Sequence, residues 1–459
     1  MMNKKLFTGF EKVSSKEWKQ KIQVDLKGAD YNETLIWKTN QGIDVKPFYH
    51  ADEFEAPFHK ISNDIKWSIC QSIFVHDVAL SNQKALDVLN RGAESLQFIL
   101  PNAEVSIKDL LQNIDLDKTI LYFKLEFLDA AFVKQLSQIP SKAGIYIFTD
   151  IIGNLARTGN WFSNLKEDHT QFEAIVKETN SFSIDVSLYQ NAGATMVQQL
   201  AYALAKTNEY LNLLYNNKEA SETKNQELTC VFNVAVGTNY FFEIAKLRAL
   251  RVLFDALVSE YNIEATCHIV ATPSKRNKTI YDYNTNMLRT TTECMSAILG
   301  NADAVCNLAY DAIYHKDNEF SDRIARNQLL VLKNESYFDA VENASDGSYY
   351  IESLTNQLAE KSLELFKDIE EQGGLLHQLK EGTIQRKIKE SAAKEKEQLD
   401  AGKMVLLGTN KHPNKADKMK EELELFPFVK TNIRKTLISP IIEKRLAENI
   451  EQERLKTEN

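Results

Sequence analysis

The rhythm of apolar runs constrains this chain more than any other feature. Eight short runs, each rich in β-branched or aromatic residues, occupy 65–74, 95–100, 119–125, 144–149, 182–189, 230–236, 265–271 and 304–310. Longer helix-compatible stretches separate them, at 83–92, 130–136, 161–178, 196–214, 241–261, 287–299 and 321–332. The linker after the second run, 101–118, carries the weakest pattern. Strands that alternate with helices make a parallel sheet, because a parallel return needs a crossover. Eight such units over about 250 residues match an α/β fold of the (β/α)8 TIM-barrel kind. A doubly wound open sheet is the rival, weakened by the count of eight and by the absence of a G-x-G-x-x-G turn.

Residues outside the rhythm divide into two appendages. Residues 1–60 read as an N-terminal extended arm that packs on the barrel or on another chain, 61–375 as the barrel, and 376–459 as a helical C-terminal segment. In the arm, Trp18, Ile22 and Leu26 fall at i, i+4 and i+8, which predicts a helix over 15–26 stopped at Lys27-Gly28. The stretch that follows, with Trp37, Pro47 and Phe48, is extended and aromatic. It cannot bury itself and needs a surface to pack on. At the other end, 381–399 sets Ile384, Ile388, Ala392 and Leu399 against a dense Lys/Glu face, the pattern of a helix with one solvated side. MVLLGTN (404–410) reads as one more short strand, and 431–459 as a polar helical segment broken at Pro440.

Composition removes several function classes. A net charge of −9 argues against a general nucleic-acid binder, which shows a basic face. No apolar run reaches the length of a membrane span, and MMNKKLFTGF has no apolar core of a signal peptide. Five cysteines (Cys70, Cys230, Cys267, Cys294, Cys306) lie far apart with no C-x-x-C pair. That fits buried, reduced thiols and a cytoplasmic location rather than a zinc or disulfide framework. P-loop, H-E-x-x-H and G-x-S-x-G signatures are absent.

The wording of the stretch from Asn284 to Gly374 goes beyond pattern. RIARN (323–327), GSYYIESLT (347–355) and EEQGG (370–374) follow one another, and several matches in order are far more specific than one short motif. This stretch resembles the barrel domain of methylmalonyl-CoA mutases. The likeness extends from about Phe10 to about Asn410, and includes NYFFEIAKLRALR (239–251) and, around Trp37 and Lys46-Pro47, the family's opening segment. It implies a mutase-like barrel over 61–375 whose N-terminal arm, 1–60, serves subunit contact by embracing a partner subunit.

Catalytic members of that family use adenosylcobalamin, which a separate domain holds through the histidine of a D-x-H-x-x-G motif. None of the eight histidines here has an aspartate two residues before it, so the resemblance implies no cobalamin-binding domain and no cofactor bound by this chain alone. Substrate positions are also altered. Where the family reads G-Y-H-x-x-E-A-G-A after the fifth strand, this chain reads VSLYQNAGA, with Leu188 for the histidine and Asn191 for the glutamate. W-T-I-R-Q-Y becomes WSICQS, with Cys70 and Ser72 for the arginine and tyrosine; S-L-H-T-N-A becomes AVCNLA, with Cys306 for the histidine. Leucine donates no hydrogen bond and cysteine only a weak one. Ser72, Leu188, Asn191 and Cys306 therefore mark a vestigial site with no catalytic, cofactor-binding or metal-binding residue.

Other polar candidates have plainer readings. His268, inside the seventh run, reads as a hydrogen-bonded core residue. Arg157 invites comparison with the family's carboxylate-binding arginine but reads as a surface residue, and Arg323 and Arg326 as members of helix-surface ion pairs. Asp150 is the one carboxylate well placed at a strand end. One carboxylate does not make an acid–base mechanism, so an unrelated barrel hydrolase or lyase is disfavoured.

A kept scaffold with a lost site is similar to the small, non-catalytic subunits of heterodimeric members. The resemblance implies pairing with a large (alpha) subunit that binds adenosylcobalamin and interconverts methylmalonyl-CoA and succinyl-CoA, with no nucleic-acid or membrane partner. The alternative is the barrel of a split mutase, itself catalytic, served by a separate cobalamin-binding chain.

Overall fold

The computed structural model describes residues 9–54, 66–216, 227–430 and 433–458. A small antiparallel hairpin, β1 (Trp37–Lys38) and β2 (Asp44–Val45), belongs to the N-terminal arm. Eight parallel strands follow: β3 (Ser68–Phe74), β4 (Ser95–Leu100), β5 (Ile120–Leu125), β6 (Ile145–Phe148), β7 (Ser181–Asp185), β8 (Leu228–Val236), β9 (Ala265–Pro273) and β10 (Ala304–Cys306). They form one sheet in the order β6-β5-β4-β3-β10-β9-β8-β7. The first and last strands of the rhythm thus pair, with Cys306 opposite Cys70, as a barrel requires and an open doubly wound sheet does not.

The seam between β6 and β7 closes differently. Among the described residues it has no backbone ladder; side chains bridge it. Thr149 N–H donates to Ser183 Oγ at 2.7 Å, and Asp185 N–H to the Asp150 carboxylate at 2.7 Å. Asp150 also accepts from Gly153 N–H (2.7 Å), Tyr210 Oη (2.6 Å) and Lys206 Nζ (2.8 Å). Its carboxylate caps the helix Ile151–Thr158, so the turn that ends β6 early also supplies the bridge. Saturated in this way, Asp150 is a structural clasp and has no lone pair left for general-base work.

The main core lies between the strands and the surrounding helices, where Phe182, Ile184, Phe232 and Ile269 meet Leu200, Phe242, Leu250 and Leu354. The long helices Met196–Asn216, Tyr240–Glu260 and Tyr349–Glu371 form one side of this shell. Several buried charges are satisfied within it. Arg248 pairs with Glu352 at 2.7 Å and with Asp346, and Lys278 pairs with Glu293 at 2.7 Å.

The fold corrects several local expectations. The run 182–189 is a strand only to Asp185, because Asp185 Oδ1 accepts from Ser187 N–H and Oγ and turns the chain into the short helix Ser187–Ala192. The run 304–310 stops at Cys306, where Asn307 donates to Ala325 O and Gln328 Oε1 instead of continuing the ladder. The helix Ile151–Thr158 had no counterpart in the pattern. Residues 404–410 form no strand beyond a single bridge from Leu407 to Lys411; the Asn410 side chain, bonded to Leu399 O, Met404 O and Leu406 N–H, folds the segment on itself. Among the described residues of the tail, Glu448–Thr457 is the one helix. No helix among the described residues is long and apolar enough to cross a membrane.

The arm helix Ser15–Asp25 begins at a Ser14–Glu17 capping box and ends before Lys27 and Gly28, both at positive φ. No residue of this helix is buried. The rest of the arm lies on the shell: Trp37 meets Phe242 edge-on at 6.0 Å, and Tyr49 contacts Tyr350 at 5.3 Å. The boundary placed at residue 60 lies outside the described residues.

Candidate functional site

Successive residues of a strand face opposite sides of the sheet. On β5, β6 and β9 that alternation sends Tyr122, Tyr146, Phe148 and His268 into the barrel, beside Cys70, Val231, Val270, Ala304 and Cys306. The Tyr146 ring stacks on His268 at 4.2 Å and on Tyr122 at 5.3 Å. Tyr122 Oη lies 2.9 Å from His268 Nε2. Burial pushes the His268 imidazole below its usual pKa, the nearby Asp303 opposing, and pushes the Tyr122 phenol well above its own. A neutral imidazole and a protonated phenol fit one bond, with Tyr122 donating to Nε2. His268 is the hydrogen-bonded core residue its place in the strand suggested, and the ring stack fills the barrel axis.

The positions singled out in the sequence fall into two separate groups. Cys306 and Cys70 face each other on neighbouring strands, with Ser72 two residues farther along β3. Burial, and then Cys306, push the Cys70 thiol well up, away from the thiolate that a nucleophile needs. Leu188 and Asn191 lie on the short helix after β7. Leu188 is buried in the main core. Asn191 is a clasp between loops: Oδ1 accepts from Ser274 Oγ (2.9 Å) and Lys275 N–H (3.0 Å), and Nδ2 donates to Glu443 (3.1 Å).

The three arginines depart from expectation. Arg157 is not a freely solvated side chain: it donates to Asp185 at 2.7 Å and to Glu443 at 2.9 Å. Arg323 and Arg326 make no ion pair among the described residues. Arg323 lies over the Phe320 ring, while Arg326 is 4% exposed and donates to Gln71 at 3.4 Å. Gln71 has the parity of Ile69 and Ile73, on the face of β3 turned to the helices, and draws the Arg326 guanidinium in against the sheet, which helical spacing alone could not show.

The C-terminal mouth of the barrel holds a cavity of about 360 Å³ lined by Lys124, Phe148, Thr149, Arg157, Ser183 and Asp185, among others. Burial disfavours the Asp185 carboxylate, but Arg157 and then Lys124 outweigh it and hold the group well below the usual carboxylate range. Lys206, fully buried, is likewise held protonated by Asp150 against its desolvation. An extended segment, 437–446, crosses this mouth. Its backbone N–H groups donate to Gly159 O, Ala156 O, Asn191 O and Arg276 O. Gly159 has φ +81, and a Cβ there would stand 2.7 Å from Ile438 O, so only glycine admits the segment this close. Lys124 was legible in principle, as the one charge in the run ILYFKL on the face of Tyr122. Glu443 was not: it meets Arg157 across 286 residues. Among the described residues, no group of three or more His, Cys, Asp or Glu could hold a metal ion.

Comparison with known proteins agrees with this architecture. The family described as Methylmalonyl-CoA mutase matches residues 132–456. A methylmalonyl-CoA mutase small subunit of Porphyromonas gingivalis is 36% identical over 448 residues, covering 89% of this chain and 71% of that protein. A small subunit of Streptomyces virginiae is 28% identical, with 85% and 67% covered. A methylmalonyl-CoA mutase of Rhizobium meliloti is 28% identical, with 86% and 64% covered. The chain thus spans roughly two thirds of the length of these relatives.

Proposed function

Because the chain belongs to the methylmalonyl-CoA mutase family, we propose that it is the non-catalytic small subunit of a heterodimeric mutase. It pairs with a large subunit that binds adenosylcobalamin and interconverts methylmalonyl-CoA and succinyl-CoA, and it stabilises that partner. The observation that carries this reading is the filled barrel. Tyr122, Tyr146 and His268 stack across the axis, and the segment 437–446 lies over the mouth. An acyl thioester has no channel to thread and meets few free donors, since Leu188 is core and Cys70 a neutral thiol. The same features disfavour cobalamin on this chain, because the loops after β6, β7 and β9 on that face are bonded to the chain's own segment 437–446. Catalysis of this kind needs preorganised donors at the reacting group, and losing one such donor costs about 10²–10³ in rate. Ser72, Leu188, Asn191 and Cys306 remain as vestigial positions. A cytoplasmic location accompanies this role.

The purified chain mixed with adenosylcobalamin and methylmalonyl-CoA forms no succinyl-CoA, and Leu188→His restores none, because the altered positions are distributed. Co-expression with a large mutase subunit yields a heterodimer on size exclusion. Turnover by the isolated chain, or by this chain with a separate cobalamin-binding protein, would replace the present reading with the split enzyme.

A further inference from the structure

We propose that a groove beside the C-terminal strap binds a small amphipathic anion: a saturated alkyl chain ending in one negative charge, of the medium-chain fatty-acid class. The groove has a volume of about 280 Å³ and lies between the helix Thr383–Asp400 and the strap, the extended segment 437–446. It shares no lining residue with the cavity at the barrel mouth. Successive residues of an extended chain point to opposite sides. Glu443 turns to the mouth, where it meets Arg157 and Asn191, while its neighbours Ile442 and Lys444 line the groove.

The walls suit an alkyl chain. They come from Ile388, Ala392 and Ala393 on the helix and from Pro440, Ile441 and Leu446 on the strap, with no aromatic ring among them. Two alanines in succession leave open the space that larger side chains would fill. Polar bridges hold the walls at a fixed spacing, so the groove exists before a ligand arrives. Gln385 on the helix donates through Nε2 to Ser439 O of the strap at 2.9 Å. Farther along, Arg276 donates to Lys444 O of the strap at 2.8 Å and to Glu395 of the helix at 2.7 Å.

The charge along the groove has one sign. Arg276, Lys389, Lys396, Lys444 and Arg445 line it and no carboxylate does. Glu395 answers Arg276 at 2.7 Å, Glu451 answers Arg445 at 2.6 Å, and Asp400 answers Lys396, each from outside the lining. Lys389 has no hydrogen-bond or ion-pair partner among the described residues, and Lys444 bonds the neutral Asn449 side chain at 2.9 Å. Arg445, 6% exposed, keeps a donor in reserve: Nε bonds Pro427 O, Nη1 bonds Lys278 O, and Nη2 has no acceptor. An aliphatic slot with unanswered positive charge complements an alkyl chain with an anionic head. A neutral hydrocarbon leaves Lys389 and Lys444 unmatched, and a compact anion such as phosphate leaves the slot unfilled.

Calorimetric titration of sodium octanoate into the full-length chain tests the site. We expect one saturable event with a dissociation constant on the order of 0.1 mM. Butyrate, four methylenes shorter, binds more weakly by about two orders of magnitude, since each buried methylene contributes roughly fourfold. Octylammonium chloride at equal ionic strength does not bind. Ala393 is exposed on the helix, and Ala393→Phe fills the groove and abolishes octanoate binding. Lys389→Glu combined with Lys444→Glu weakens it by about tenfold. Absence of saturable binding to the wild-type chain would overturn the inference. So would butyrate or octylammonium binding as tightly as octanoate, or either variant binding octanoate like the wild type. Sedimentation velocity on the same samples covers the rival occupant: a dimer that Ala393→Phe dissociates would assign the groove to a second copy of this chain and overturn the proposal.

Discussion

The two ends of the chain carry similar amphipathic helices and use them in opposite ways. Near the C-terminus, Thr383–Asp400 buries Ile384, Ile388 and Leu399, and the strap beyond it seats Ile438 and Ile441 on the barrel. Near the N-terminus, Ser15–Asp25 buries nothing, and Trp18 stays half exposed although Phe48 meets it edge-on at 6.4 Å. One helix completes the barrel it is covalently joined to. The other leaves its apolar stripe, Trp18 and Ile22, unburied among the described residues, and under the proposed pairing that stripe is the part of the arm a partner covers. The difference teaches that an amphipathic pattern predicts a buried face without saying which molecule buries it.

The comparison breaks most sharply in stability. Ile388→Ala lowers the unfolding free energy of the isolated chain by about 2–5 kcal/mol, the range for truncating a buried aliphatic side chain, while Trp18→Ala shifts it by no more than about 0.5 kcal/mol. Urea denaturation of the two variants side by side measures this. Equal losses would mean that the arm helix is part of the chain's own core. Association inverts the order. Trp18→Ala weakens capture of a large mutase subunit by about 2 kcal/mol, the threshold of an interface hot spot, whereas Ile388→Ala leaves the affinity of whatever chain remains folded unchanged. Titration calorimetry or a quantitative pull-down reads the difference, and an unaltered Trp18→Ala complex would place the interface elsewhere.

The smallest effect comes from the barrel axis, which belongs to neither end. His268 has a folded pKa below its unfolded value because burial disfavours the imidazolium. The unfolded chain therefore binds the proton first, and stability falls as pH drops below about 6.5. The slope from this one group is at most about 1.4 kcal/mol per pH unit. His268→Gln, which can still accept from Tyr122, flattens the Tm-versus-pH curve between that value and the folded pKa. A curve identical to wild type would assign the pH dependence to other groups.

Much of this architecture was present in the order of residues. The alternation of eight apolar runs with helical stretches specifies parallel strands, because each run is long enough only for a strand and each spacer long enough for a crossover. The Ser14–Glu17 box and the Lys27-Gly28 stop mark the arm helix by local chemistry that needs no neighbour. That Leu188 offers no hydrogen-bond donor and Cys306 only a weak one is plain from residue type alone. Tertiary structure decided what depends on contacts between distant residues. The β6–β7 seam rests on Asp150 and Ser183, whose partners lie on other segments. The place of Arg326 depends on the register of β3, and that of Arg157 on Glu443. Residues 404–410 have the composition of a strand, but Asn410 bonds Leu399 O, Met404 O and Leu406 N–H and folds them locally. A periodic pattern records which face of a segment must leave water; which surface receives that face, and which charge answers which, is settled only when the whole chain closes on itself.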